Sequence, residues 1–134
     1  MKIRVMVFGT FDIFHPGHRS FLRQAKKFGD YLIVVVARDK TVARIKSNVL
    51  NGERKRLRNI KESKLADKVI LGSLIDKYAA IKKYRPDTIC LGYDQKYFTR
   101  GLKKKLDNFG LKNKIVRLKP YKPGTYKSSK LKKA

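Results

Sequence analysis

The only two histidines in the 134-residue chain stand three apart, in Gly9-Thr10-Phe11-Asp12-Ile13-Phe14-His15-Pro16-Gly17-His18. If His15 and His18 open a helix, that spacing puts both imidazoles on the same side. Gly9 lets the backbone turn sharply and approach a ligand. Pro16 suits the first turn of a helix, where its missing N–H is no loss. The helix N-terminus then directs unpaired N–H groups and a positive dipole outward. Two imidazoles beside such a terminus suit an anion whose charge grows during a reaction, above all a phosphate. Metal ligation by the pair is a weaker reading, because no third His or Cys is placed to complete a site. The single cysteine, Cys90, falls inside an apolar run and reads as a small buried hydrophobe.

Something must hold that constellation, and hydropathy patterning supplies it. Residues 3–8 (IRVMVF) and 31–37 (YLIVVVA) are β-branched, nearly continuous apolar runs, as expected of strands buried on both faces of a parallel sheet. Residues 68–71 (KVIL), 88–91 (TICL) and 114–118 (KIVRL) are shorter strand candidates. Between them, 19–28, 53–65, 75–84 and 100–109 carry helical periodicity. Gly29 and Gly110 stand where C-cap glycines belong. Alternation of strand and helix predicts a single α/β domain over 1–134, Rossmann-like and doubly wound, with a five-stranded parallel sheet flanked by helices. Ligands of such sheets bind beyond the carboxyl ends of the strands, where the histidine segment falls. The basic segment 121–134 is expected to stay loose until a ligand orders it.

With 35 Lys+Arg against 10 Asp+Glu, the formal net charge is +25. So much positive charge draws polyanions, and nonspecific nucleic-acid binding is one expectation. The cations are spread along the whole chain, and neither an aromatic RNA-binding motif nor zinc-finger spacing accompanies them. No apolar run approaches the roughly 20 residues that span a bilayer, the N-terminus lacks signal-peptide character, and one cysteine forms no internal disulfide. A cytoplasmic protein without membrane contact is the expectation.

Gly9–Asp12 followed by His15-Pro16-Gly17-His18 resembles the GTFD…HxGH signature of the cytidylyltransferase-like nucleotidyltransferases. The resemblance extends over nearly the entire chain. Lys40 and Lys46 follow the second strand, where that family places phosphate-binding lysines, and Arg56 resembles its arginine at a helix start. Leu91-Gly92-Tyr93-Asp94-Gln95 resembles the loop that contacts the nucleotide. Ser128-Ser129 resembles the hydroxyl pair that grips the triphosphate. Within the superfamily the sequence is most similar to the archaeal FAD synthases, through 37–42, 70–74 and 91–95. Glycerol-3-phosphate cytidylyltransferases usually carry two acidic residues and a tryptophan after the fourth-strand glycine; this chain has no Trp.

The resemblance implies nucleotidyl transfer, in which a phosphate monoester attacks the α-phosphorus of a nucleoside triphosphate and pyrophosphate leaves. ATP and FMN are the implied substrates. Catalytic roles fall to His15, His18, Lys40, Lys46 and Arg56. Nucleotide contacts fall to Gly9, Thr10, Phe11, Asp12, Gly92, Asp94, Ser128 and Ser129 as well as the histidines. Asp12 or Asp94 would take Mg²⁺, or hydroxyls of the ribose. Dimers are common among the relatives, so a second copy of the chain is an expected partner. Two alternatives stay open: CTP with glycerol 3-phosphate or a similar small phosphate, and a nucleic-acid-binding module on an inactive nucleotidyltransferase fold.

Overall fold

The computed structural model describes residues 2–43, 49–92, 95, 101–111 and 113–119. Five strands, β1 (Arg4–Gly9), β2 (Tyr31–Val36), β3 (Lys68–Leu71), β4 (Thr88–Leu91) and β5 (Lys114–Arg117), form one sheet in the order β3-β2-β1-β4-β5. Every neighbouring pair is parallel, with Val7 opposite both Val34 of β2 and Cys90 of β4. The five expected strands all form, within one residue at each end.

Side chains alternate across the sheet. Val5 and Val7 with Leu32, Val34 and Val36 face helix α1 (Pro16–Lys26) and helix α3 (Glu53–Ser63), meeting Leu22, Ala25 and Ile60. Met6, Ile33 and Val35 face the other way, toward Ile81 of α4 (Ala79–Tyr84) and Leu102 and Leu106 of α5 (Leu102–Asn108). Helices thus cover both faces, and the winding direction reverses between β1 and β4. A crevice opens there beyond the strand ends. Among the described residues no helix is long and apolar enough to cross a membrane.

Local chemistry adjusts the expected helices. A short helix, α2 (Asp39–Ala43), precedes α3 and has too few residues to show a period. Helix α4 begins four residues later than its apolar spacing suggests. Ser73 Oγ accepts the N–H groups of Ile75 and Asp76, and Asp76 Oδ1 accepts that of Tyr78; such side-chain turns compete with helix. Helix α5 starts after Gly101, which adopts φ 74°.

The two candidate cap glycines part company. Gly110 has φ 72°, and the bonds Gly110 N–H to Asp107 O and Leu111 N–H to Leu106 O close α5 as a Schellman motif. Gly29 is not in the left-handed region, and α1 ends on Lys27 with φ −66°. Gly29 is needed for closeness instead, because a Cβ there would stand 2.5 Å from Ile3 O.

Candidate functional site

Strand β1 delivers the histidine segment to the sheet's carboxyl edge. Gly9 closes the strand, and a Cβ on it would stand 2.6 Å and 2.7 Å from ring carbons of Phe11. Phe11 takes a left-handed backbone, φ 53°, and buries its ring. That turn aims the chain at α1, whose first residue is Pro16.

His15 is the N-cap, and its Nδ1 accepts the Gly17 N–H at 3.0 Å. His18 Nδ1 accepts the His15 N–H at 3.4 Å. The two imidazoles therefore complete the cap reciprocally, in the manner of a capping box. With each Nδ1 held as an acceptor, the proton of each neutral ring resides on Nε2, so both rings have an Nε2–H donor. The rings stack at a centroid distance of 3.8 Å and an angle of 21°. Phe11 meets His18 edge-on at 5.3 Å, Phe14 lies nearly parallel to it at 5.9 Å, and the Arg19 guanidinium stands 4.8 Å from the Phe14 ring. Burial pushes the His15 pKa below 6.5. The Gly17 N–H acts in the same direction, because a proton on Nδ1 would face it. Two rings that each present an Nε2–H at a helix N-terminus suit phosphoryl oxygens.

Asp12, 3% exposed, accepts the Leu50 N–H (2.9 Å) on one carboxylate oxygen and the Asn51 N–H (2.8 Å) on the other. The Asn51 side-chain amide returns a bond to Asp12 O. Arg56 is fully buried. Its Nε donates to Asn51 O (3.0 Å), Nη1 to Thr10 O (2.9 Å) and Nη2 to Asp39 Oδ1 (2.8 Å). That guanidinium holds the Asp39 carboxyl below the usual carboxylate range. Glu53, in the first turn of α3, accepts from Arg38 Nε at 3.1 Å and from the Asp39 N–H at 2.8 Å. From these positions Asp12 and Arg56 fix the backbone around the histidines. The expectation that Asp12 ligates a metal or ribose, and that Arg56 meets phosphate, sits beside these internal partners.

Gly92 lies across the crevice at the end of β4. Gln95 bridges the crevice, its Oε1 accepting the Gly92 N–H (3.1 Å) and its Nε2 donating to Phe8 O (3.0 Å). Arg117 Nη1 donates to Gly92 O and Gln95 O. Lys40 is exposed on α2, next to Asp39. The structure therefore gathers Gly9, Thr10, Phe11, Asp12, His15, His18 and Arg56 in one cluster, with Gly92 and Lys40 at its two flanks. Lys46, Asp94, Ser128 and Ser129 lie outside the described residues, as does the segment 121–134. Cys90 is buried in β4 and its thiol is pushed up to about 11, so it is no nucleophile.

Sequence reasoning passed over Arg38, Asp39, Asn51 and Glu53. Only the Asn51-Gly52 pair, a turn signal, was available to find them. Among the described residues no group of three or more His, Cys, Asp or Glu could hold a metal ion.

A family model described as cytidylyltransferase-like matches residues 6–134. The FAD synthase of Aciduliprofundum boonei is 46% identical over 119 residues, covering 89% of this chain and 80% of that protein. The FAD synthase of Thermoplasma acidophilum is 43% identical, covering 98% and 92%. A crystal structure described as the lipopolysaccharide core biosynthesis protein of Thermoplasma volcanium superposes with a TM-score of 0.85 at 43% identity, covering 90% of this chain and 99% of that one. Pantoate-beta-alanine ligase from Francisella tularensis, at 16% identity and a TM-score of 0.67 over 99% of this chain and 66% of its own, shares the fold alone.

Proposed function

The chain belongs to the cytidylyltransferase-like family and is a nucleotidyltransferase, and from that premise we propose that it is an FAD synthase joining the adenylyl group of ATP to FMN. An oxygen of the FMN phosphate attacks the α-phosphorus. The bond from that phosphorus to the bridging oxygen of the β-phosphate breaks, and pyrophosphate leaves. The acceptor is already a nucleophile, so catalysis is positioning plus stabilisation of charge on phosphoryl oxygens. His15 and His18 donate to the α- and β-phosphates through Nε2–H, with the α1 N-terminus beneath them. Lys40 and Lys46 neutralise phosphate charge. Arg56 acts as a positioning residue through Thr10 and Asp39. Gly92, Asp94, Ser128 and Ser129 contact the nucleotide.

The observation that carries this reading is the reciprocal histidine cap, which turns two imidazoles into paired donors at a strand end. Among the described residues no three His, Cys, Asp or Glu side chains gather to hold a metal by themselves, and Asp12 keeps an acceptor site on each oxygen beside its backbone amides. Mg²⁺ would come with the triphosphate as part of the substrate, with Asp12 or Asp94 as the acids to meet it, and would offset phosphate charge there. We further read the 134 residues as one nucleotidyltransferase domain, cytoplasmic and paired with a second copy of itself. Its charge would give weak, salt-sensitive association with nucleic acid.

The decisive experiment supplies ATP or CTP with FMN or glycerol 3-phosphate in turn and follows pyrophosphate, with FAD identified by chromatography. FAD from ATP and FMN is expected, and the His18→Ala variant should fold and turn over at least about 100-fold more slowly. Consumption of CTP alone would refute the flavin assignment. Unchanged kinetics in His18→Ala would refute the histidine role.

A further inference from the structure

We propose that the side-chain amide of Gln95 is a spacer that sets the width of the nucleotide crevice between β1 and β4, which makes Gln95 a positioning residue. This deepens the function proposed above and rests on it.

Pairing across the sheet carries the inference. Strand β1 stays paired with β2 as far as Gly9, opposite Val36, and β4 stays paired with β5 as far as Leu91, opposite Arg117. Between them, β1 and β4 part after Val7 and Cys90. One more step of that register would bond the Gly92 N–H directly to Phe8 O, at the usual length of about 2.9 Å. The Gln95 amide stands in that place instead. Its Oε1 accepts the Gly92 N–H at 3.1 Å, and its Nε2 donates to Phe8 O at 3.0 Å. One amide is thus interposed in the ladder, and both main-chain groups stay satisfied.

The spacer is itself fixed. Gln95 is half-buried, its N–H closes a turn on Gly92 O at 3.2 Å, and Arg117 Nη1 donates to both Gly92 O and Gln95 O. Phe8 precedes Gly9, so the same amide holds the start of the histidine loop from the β4 side, while the Ala37 N–H bonds Gly9 O at 2.9 Å from the β2 side. A nucleoside seated beyond these strand ends meets a gap whose width the amide dictates. Loss of the amide lets Gly92 close onto Phe8 and narrows the seat, with the paired imidazole donors left in place.

The test compares wild type with Gln95→Ala, which removes the spacer, and Gln95→Glu, which keeps its length but sets an oxygen against Phe8 O. In Gln95→Ala the Gly92 N–H should bond Phe8 O, read as a scalar coupling across that hydrogen bond in a long-range HNCO spectrum; wild type should show none. Both variants should raise KM for ATP about tenfold, while KM for FMN and kcat at saturating substrates stay within about threefold. Asp30→Ala controls for stability alone, because it removes a carboxylate that braces the Ile3 N–H at the opposite edge of the sheet. It should lower Tm and leave both KM values in place. A Gly92–Phe8 coupling in wild type, KM for ATP unmoved in both Gln95 variants, or an equal rise in Asp30→Ala would overturn the spacer while FAD production by wild type kept the enzyme assignment intact. A raised KM in Gln95→Ala without that coupling would make Gln95 a direct nucleotide contact and overturn the spacer too. Wild type that makes no FAD would overturn both.

Discussion

At the scale of single residues, the site depends on which nitrogen of each imidazole is occupied. The sequence placed two histidines at a helix start, and the structure agrees. The Nδ1 partners, Gly17 N–H and His15 N–H, were not legible, because a reciprocal cap depends on backbone angles that the residue types leave open. Asp12 was legible, through the resemblance, as a candidate for Mg²⁺ or ribose hydroxyls but not as the anchor of residues 50 and 51, a contact 38 and 39 positions away. The lowered pKa of His15 has a direction that can be tested. Between that pKa and 6.5 the unfolded chain binds the proton and the folded one does not, so stability rises with pH. The contribution is fully present above pH 6.5 and is lost as pH falls through the lowered value. An NMR titration of the His15 Cε1 proton should show a midpoint below 6.5, and a midpoint at or above it would contradict the cap.

At the scale of elements, apolar runs located all five described strands, because burial on both faces leaves a nearly continuous apolar signature that needs no tertiary context. Helix starts were less legible. Ser73 and Asp76 delayed α4 through side-chain turns, and α2 is too short for periodicity. The clamp that joins these pieces is Arg56, which ties the end of β1 (Thr10) to α2 (Asp39) and to Asn51. An arginine in a chain of 35 cations gives no sign of being the buried one. Arg56→Met should cost about 2–3 kcal/mol in urea unfolding, from two carbonyl acceptors left without a donor and a carboxylate that rehydrates. Arg56→Lys should recover only part, since one ammonium does not reproduce the three-way fork. A loss below about 0.5 kcal/mol in Arg56→Met would show the clamp to be idle.

At the scale of the whole molecule, the charge of +25 reflects 35 cations set against only ten acids. Asp30, Asp67 and Asp87 accept backbone N–H groups of Ile3, Leu32 and Arg4 at the amino edge of the sheet. Asp12 and Glu53 do the same near the histidines, and Asp76 starts the turn before α4. Six of the ten acids therefore brace the chain while keeping their charge, and Glu53, Asp67 and Asp76 also pair with Arg38, Lys26 and Lys82; ten carboxylates do not balance 35 cations. Self-repulsion should make stability depend on salt. Raising NaCl from 20 mM to 500 mM should raise Tm, by about 4 °C for each kcal/mol that screening restores. A Tm that falls or stays flat would show that the cations already have partners. A protein with 25 more cations than carboxylates must borrow its counter-ions from outside. Its heat tolerance is accordingly set jointly by the chain and by whatever dissolved anions gather round it, and a preparation stripped of them is a weaker object than the one the cell keeps.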